Sequence, residues 1–427
     1  MHYFYFCQPT QLYMIQFEQF ELKNGLQVIF HQDLTSPMVV VNVLYNVGSR
    51  DEEEQRTGFA HLFEHLMFGG SLNVPNYDEP LQKVGGENNA FTSPDITNYY
   101  ITLPAENMET AFWLESDRML SLSFDPKVLE VQRSVVIEEF KQRYLNQPYG
   151  DAWLKLRPLV YKEHPYKWAT IGKEIEHIEK ATMEDVKDFF HRFYKPNNAV
   201  LVVAGNTTLD EVKRLSEKWF GEIPKGETNV RNLPQEPVQT EYRELEVEAP
   251  VPADSLYMAF HMEGRADEKY YATDLLSDIL GRGKSSLLHD QLVEKQRLFS
   301  SIGAYVMGSS DPGLLVINGQ LSAGVLLAEA EKAVWDLIED FKNTSIEAAT
   351  LQKVKNKAES TIVFGEVELL NRAMNLAHAW TLGDPDMVNH EGEKIQAVTV
   401  EDIKQQAKKI LVKTNASVLR YKAKNEI

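Results

Sequence analysis

The sequence predicts an α+β fold built from two similar halves that face each other. Three observations carry this: a repeat at one fixed offset, short runs of alternating apolar residues, and long amphipathic helical stretches between them. The chain has 427 residues, too many for one domain of about 150 residues. Thr182-Met-Glu-Asp-Val-Lys187 returns as Thr399-Val-Glu-Asp-Ile-Lys404, and 399 − 182 = 217. Asn198-Ala-Val-Leu returns as Asn415-Ala-Ser-Val, and 415 − 198 is again 217. Two matches in one register argue for a duplicated domain. Each copy reads as a Thr-capped helix, with Asp185 or Asp402 three residues after the cap, leading into an alternating strand.

Val39, Val41 and Val43 alternate in the first half, and Leu256, Met258 and Phe260 in the second. Strand-helix-helix-strand order with hairpin-like stretches favours an α+β sandwich over a doubly wound parallel sheet. The boundary falls where composition shifts. Gly221 to Val238 carries Pro224, Pro234 and Pro237 without strong periodicity and reads as an extended linker. The expected division is a leader (1–13), a first domain (14–225), a linker (226–245) and a homologous second domain (246–427).

Composition excludes several classes. With 44 basic and 63 acidic residues the net charge is −19, and such a surface repels phosphate, so nucleic acid is not an expected partner. No run reaches the roughly 18 apolar residues of a membrane span; Met38–Val47 and Ala199–Ala204 have strand length. The single cysteine, Cys7, cannot form an internal disulfide. The leader Met1 to Tyr13 contains no Lys or Arg, which does not fit a secretory signal, and Met14 could be the true start. A cytoplasmic location is expected.

The chemistry lies in the first half. Gly58-Phe-Ala-His-Leu-Phe-Glu-His-Leu-Met-Phe68 contains His61, Glu64 and His65 in the order H-x-x-E-H. At about 100° per residue, Phe59, Leu62, Phe63 and Leu66 form a core stripe, leaving His61, Glu64 and His65 on the opposite face. Imidazoles four residues apart project side by side and can reach one metal ion. A surface pair of histidines, or a buried hydrogen-bonded pair, is the structural reading of the same residues.

A third ligand is needed, and zinc commonly takes a carboxylate there. Asp125-Pro126 opens a second helix with a capping residue and a proline in the first turn. Its expected apolar stripe is Val128, Val131, Val135 and Val136, with Glu139 near its centre, while Glu138 and Glu130 point away. A carboxylate on an apolar face is costly unless neutralised or metal-bound. Glu139 is therefore the expected ligand and Glu138 the reserve.

These residues resemble the inverted-zincin metallopeptidases, the family of pitrilysin, insulin-degrading enzyme and the mitochondrial processing peptidases. The similarity runs over nearly the whole chain after residue 14. It includes Gly85-Gly-Glu-Asn-Asn-Ala-Phe-Thr-Ser-Pro-Asp-Ile-Thr-Asn-Tyr-Tyr100, Arg133-Ser-Val-Val-Ile-Glu-Glu139 and Tyr194-Lys-Pro-Asn-Asn-Ala-Val-Leu-Val-Val-Ala-Gly205. The resemblance implies the short, two-domain branch, with each half an α/β roll whose antiparallel sheet is backed by helices, and two subunits forming a clam-shell chamber. It implies one zinc ion per chain on His61, His65 and Glu139, with Glu64 moving the proton of the attacking water. Asn89, Ala90 and Phe91 resemble an edge strand that pairs with an extended peptide; without the family, Asn88–Tyr100 reads as a polar-aromatic hairpin.

The chain departs from the family in two places. The family often carries a glutamate seven residues before the third ligand, where it orients a metal ligand, and here that position is Gln132. The second-domain arginine and tyrosine positions hold Val293 and Ser300, with Arg297 and Tyr305 nearby in a different register. The expectation is a zinc-dependent endopeptidase acting as the zinc-bearing subunit of a heterodimer, with a homodimer as the other assembly. A non-catalytic peptide-binding or scaffold subunit is the alternative. A phosphate-binding loop at Leu280-Gly-Arg-Gly-Lys-Ser-Ser286 is excluded because the required earlier glycine is Asp278.

Overall fold

A computed structural model describes residues 14–424; the leader expected at 1–13 lies outside the described residues. The first half forms a six-stranded sheet from β1 (Glu18–Glu21), β2 (Gln27–Gln32), β3 (Met38–Tyr45), β4 (Glu87–Thr92), β5 (Thr97–Pro104) and β6 (Ala199–Gly205). The second forms a five-stranded sheet from β7 (Arg243–Ala249), β8 (Ser255–His261), β9 (Phe299–Met307), β10 (Leu314–Leu321) and β11 (Ala416–Ala423). The strand orders are β1-β2-β6-β3-β5-β4 and β7-β11-β8-β10-β9. All neighbours are antiparallel except one parallel pair in each sheet, β2 with β6 and β7 with β11. Helices back both sheets.

The internal repeat extends beyond the sequence matches. β3 and β8 begin at 38 and 255, β5 and β10 at 97 and 314, β6 and β11 at 199 and 416, and each difference is 217. Helices Met183–Phe193 and Val400–Ile410 carry the same capping box, Thr182 with Asp185 and Thr399 with Asp402. Each threonine hydroxyl accepts the N–H of its aspartate, and each aspartate accepts the threonine N–H. Residues 224–240 hold no helix or strand, and β7 begins at Arg243, inside the stretch 226–245.

β6 does not alternate between buried and exposed positions: all seven residues are buried. β3 is also buried along nearly its whole length. The cause is an exchange of helices. Ala373, Leu376 and Ala377 on helix Leu369–Thr381, from the second half, pack on Val40, Leu44, Val200 and Val202 of the first sheet. Ala152, Leu156 and Val160 on helix Ala152–Val160, from the first half, pack on Tyr257, Ala259, Val316 and Leu419 of the second sheet. The two helices begin 369 − 152 = 217 residues apart. A sheet covered on both faces reads as continuous apolar strands.

Polar contacts tie the halves together near the β9–β10 loop. Arg50 Nη1 pairs with Asp95 at 2.8 Å and with Asp311 at 3.0 Å. Asp95 also accepts the Ser310 N–H at 2.9 Å and the Tyr166 hydroxyl at 2.5 Å. Because each half buries a helix of the other, the halves should unfold together. Leu376→Ala empties a fully buried site and is expected to cost about 2–5 kcal/mol. Denaturant unfolding should show one transition shifted as a whole; two transitions, with only one shifted, would contradict the interlock.

Candidate metal centre

The histidine helix Phe59–Leu66 starts where Gly58 adopts φ +89°, and a Cβ there would lie 2.7 Å from the Ile171 carbonyl oxygen. Glycine is required at such a position. The first N–H groups of a helix lack partners within it. Here buried Glu52 accepts the N–H of Gly58 at 2.9 Å and of Ala60 at 2.8 Å. Burial pushes the Glu52 carboxyl well above the usual carboxylate range, opposed by these two N–H groups. Phe59, Leu62, Phe63 and Leu66 are buried, and the Phe63 ring stacks on Phe189 and Tyr194 at 4.9 and 5.1 Å. His61, Glu64 and His65 occupy the other face and are partly buried.

The second helix, Pro126–Phe140, is capped by Asp125, whose side chain accepts the Lys127 N–H at 2.8 Å. Its buried stripe differs from the expected one. Val131 and Val135 are 57% and 44% exposed, whereas Leu129, Val136 and Phe140 are buried. The run of β-branched residues drew the stripe about one residue too far round the helix. Glu139 still lies beside the true stripe: its side chain is 18% exposed, against 62% for Glu138, which pairs with Lys141. Beyond Phe140 the chain widens into a π-helix, Lys141–Leu145.

The two helices bring His61, His65 and Glu139 together, with one ligand atom of each within 4.8 Å of the others. Glu139 Oε2 stands 3.6 Å from His61 Nε2 and 3.4 Å from His65 Nε2. Both are long for hydrogen bonds. Tetrahedral zinc with bonds of about 2.0–2.2 Å separates its donor atoms by roughly 3.3–3.6 Å. Burial first, then the His65 and Arg143 charges, pushes the His61 imidazole down to about 3, so it is neutral and able to donate a lone pair. Two imidazoles and one carboxylate converging at ligand-edge distances fit a zinc ion.

Glu64 is outside this set. Burial raises its carboxyl, opposed by the Thr92 hydroxyl, which donates to Glu64 Oε2 at 2.5 Å. Among the described residues the Gln132 side chain hydrogen-bonds to none, and the outer partner of the cluster is one the sequence reading missed. Arg143 Nη1 reaches Glu139 Oε1 at 3.1 Å, leaving Oε2 to face the histidines. The i, i+4 spacing of Glu139 and Arg143 was a readable signal. Arg143→Ala is expected to weaken zinc binding by about tenfold; unchanged affinity in a competition titration with a chelating dye would count against this role.

Asn89, Ala90 and Phe91 lie on β4, an edge strand paired only with β5, so the hairpin and edge-strand readings coincide. The Ala90 N–H is taken by its neighbour's Asn89 Oδ1 at 2.8 Å, so it faces away from β5, towards the open edge. Phe91 is 40% exposed. Thr92 ends this strand and holds Glu64, so the open edge leads to the cluster. In the second half, Val293 packs against the core and the Ser300 hydroxyl donates to the Gln320 carbonyl at 3.2 Å. Among the described residues no helix is long and apolar enough to cross a membrane.

Comparison with known proteins gives the family of the chain. Residues 27–152 match the family model described as Insulinase (Peptidase family M16), and 180–358 match the one described as Peptidase M16 inactive domain. A protein named zinc protease PqqE from Helicobacter pylori is 31% identical over 359 residues, covering 81% of this chain and 79% of that protein. A mitochondrial-processing peptidase subunit beta from Caenorhabditis elegans is 27% identical over 261 residues, covering 60% of this chain and 55% of that protein. The crystal structure of a protease from Helicobacter pylori superposes with a TM-score of 0.91 at 28% identity, covering 96% of this chain and all of that one. The chain belongs to the insulinase family, peptidase family M16.

Proposed function

We propose that this protein is a zinc-dependent endopeptidase that cleaves extended or unfolded peptides. The observation that supports it best is the convergence of His61 Nε2, His65 Nε2 and Glu139 Oε2 at ligand-edge distances, with Glu64 of the same helix as the histidines held by Thr92 at the end of an open edge strand. His61, His65 and Glu139 would hold one zinc ion, which supplies Lewis acidity for a peptide carbonyl and lowers the pKa of water. An extended peptide adds to β4 through main-chain hydrogen bonds along Asn89, Ala90 and Phe91, giving modest sequence preference. Glu64 takes the proton of the attacking water and delivers it to the leaving amine. Thr92 orients Glu64 through its hydroxyl.

The assembly we infer is a heterodimer in which this chain brings the zinc site and a related subunit brings an arginine and a tyrosine; a homodimer is the other possibility. Val293 and Ser300 supply neither group. A non-catalytic peptide-binding or scaffold role is the second reading, favoured by the match of 180–358 to a domain described as inactive. Cleavage of a quenched fluorescent peptide, with and without chelator, separates the two. Chelator-sensitive cleavage supports the peptidase. Stoichiometric zinc with no turnover, alone or with a related subunit, supports the scaffold.

A further inference from the structure

Between the two halves lies a cavity of about 370 Å³ whose walls do not include His61, Glu64, His65 or Glu139. Arg157, Tyr161 and Tyr166 line it from the first half, and Arg265, Tyr270 and Ser309 from the second. No carboxylate lines it, in a chain with 63 acidic and 44 basic residues. Arg265 has a counter-charge, since Glu391 Oε1 lies 3.4 Å from its Nη2. Arg157 does not. Among the described residues no Asp or Glu pairs with it, and its hydrogen bond runs from Nη1 to the Tyr166 carbonyl at 3.1 Å.

The surroundings of Arg157 are aromatic. Tyr161 and Tyr166 share the cavity wall with the guanidinium, and the Trp153 ring centre is 5.7 Å away. A guanidinium offers five N–H donors and stays charged in a protein. Among the described residues Nη1 to the Tyr166 carbonyl is the one hydrogen bond of this side chain, and Arg157 is partly exposed in the cavity wall. A partly buried guanidinium with unspent donors and no counter-ion is stabilised by a ligand that supplies one.

We propose that this cavity is a carboxylate-binding subsite, in which Arg157 receives a carboxylate of a bound peptide, from an acidic side chain or from a free C-terminus. The position suits a peptide. Pro94, in the cavity wall, lies two residues beyond the end of β4, the edge strand that leads to Glu64. The volume exceeds what an inorganic anion needs, and tyrosine walls suit the carbon skeleton of a residue. The choice of a peptide as carrier rests on the peptidase reading above.

The test is calorimetric titration of the full chain, in chelator, with three peptides: N-acetyl-Ala-Ala-Phe-Ala as the free acid, the same peptide as its amide, and N-acetyl-Ala-Glu-Phe-Ala amide. At least one carboxylate peptide should bind about tenfold more tightly than the neutral amide, and the one that does identifies the source. Arg157→Gln should abolish the preference, and Arg157→Lys, which keeps the charge but loses the planar fork, should reduce it. Equal binding of all three peptides, binding by none, or an undiminished preference in Arg157→Gln would overturn the subsite. The acid–amide comparison on the unaltered chain decides the matter even if both variants fail to fold. Because chelator is present, failure of the zinc peptidase reading leaves this preference intact, and failure of the subsite leaves chelator-sensitive cleavage intact.

Discussion

Glu64→Gln is expected to leave one zinc ion per chain in place and to lower peptide hydrolysis by about 10³-fold or more. General base catalysis by a positioned side chain contributes about 10²–10⁴-fold. Glutamine keeps the size of the side chain, and its amide oxygen can still accept the Thr92 hydroxyl, so the helix and the neighbouring imidazoles stay where they are. What it cannot do is take a proton. Zinc content and turnover, measured on the same preparation, check both halves of the expectation. Turnover near that of the parent would remove Glu64 from the role assigned to it.

The isolated chain is expected to hydrolyse peptides about 100-fold more slowly than the same chain mixed with a related subunit that carries the arginine and tyrosine. Loss of one oxyanion donor costs about 10²–10³ in rate. Val293 is engaged with the second-half core, and the Ser300 hydroxyl is spent on the Gln320 carbonyl. Arg297 sits at a left-handed turn with φ 58°, and it and Tyr305 stand eight residues apart in the sequence rather than seven. Assays of the chain alone, and then with the related subunit, measure the difference. Robust chelator-sensitive cleavage by the chain alone, indifferent to any added subunit, would count against the heterodimer.

Much of this was legible in the sequence, and the remainder was hidden for physical reasons. The offset of 217 could be read because both copies spend the same residues, Thr with Asp three positions on, on a helix cap. The exchanged helices share that offset but little identity, because burial against a foreign sheet asks only for apolar residues of suitable size. Their presence was therefore invisible, and the strands they cover were expected to alternate. The histidine helix was readable from a 3.6-residue stripe. The glutamate helix was readable only in part, since Val131 and Val135 are apolar yet exposed. Thr92 reaches Glu64 from 28 residues away, and Glu52 caps the helix from six and eight residues before Gly58 and Ala60, outside the usual capping spacing, so no local pattern announces either contact.

The most direct measurement is the zinc content of the purified protein and of its Glu139→Ala and Glu138→Ala variants, by elemental analysis. If His61, His65 and Glu139 form the site, the parent holds about one zinc per chain. Glu139→Ala should then be empty and Glu138→Ala should match the parent. Zinc retained by Glu139→Ala, zinc lost from Glu138→Ala, or a parent chain that binds none when zinc is supplied would contradict the site.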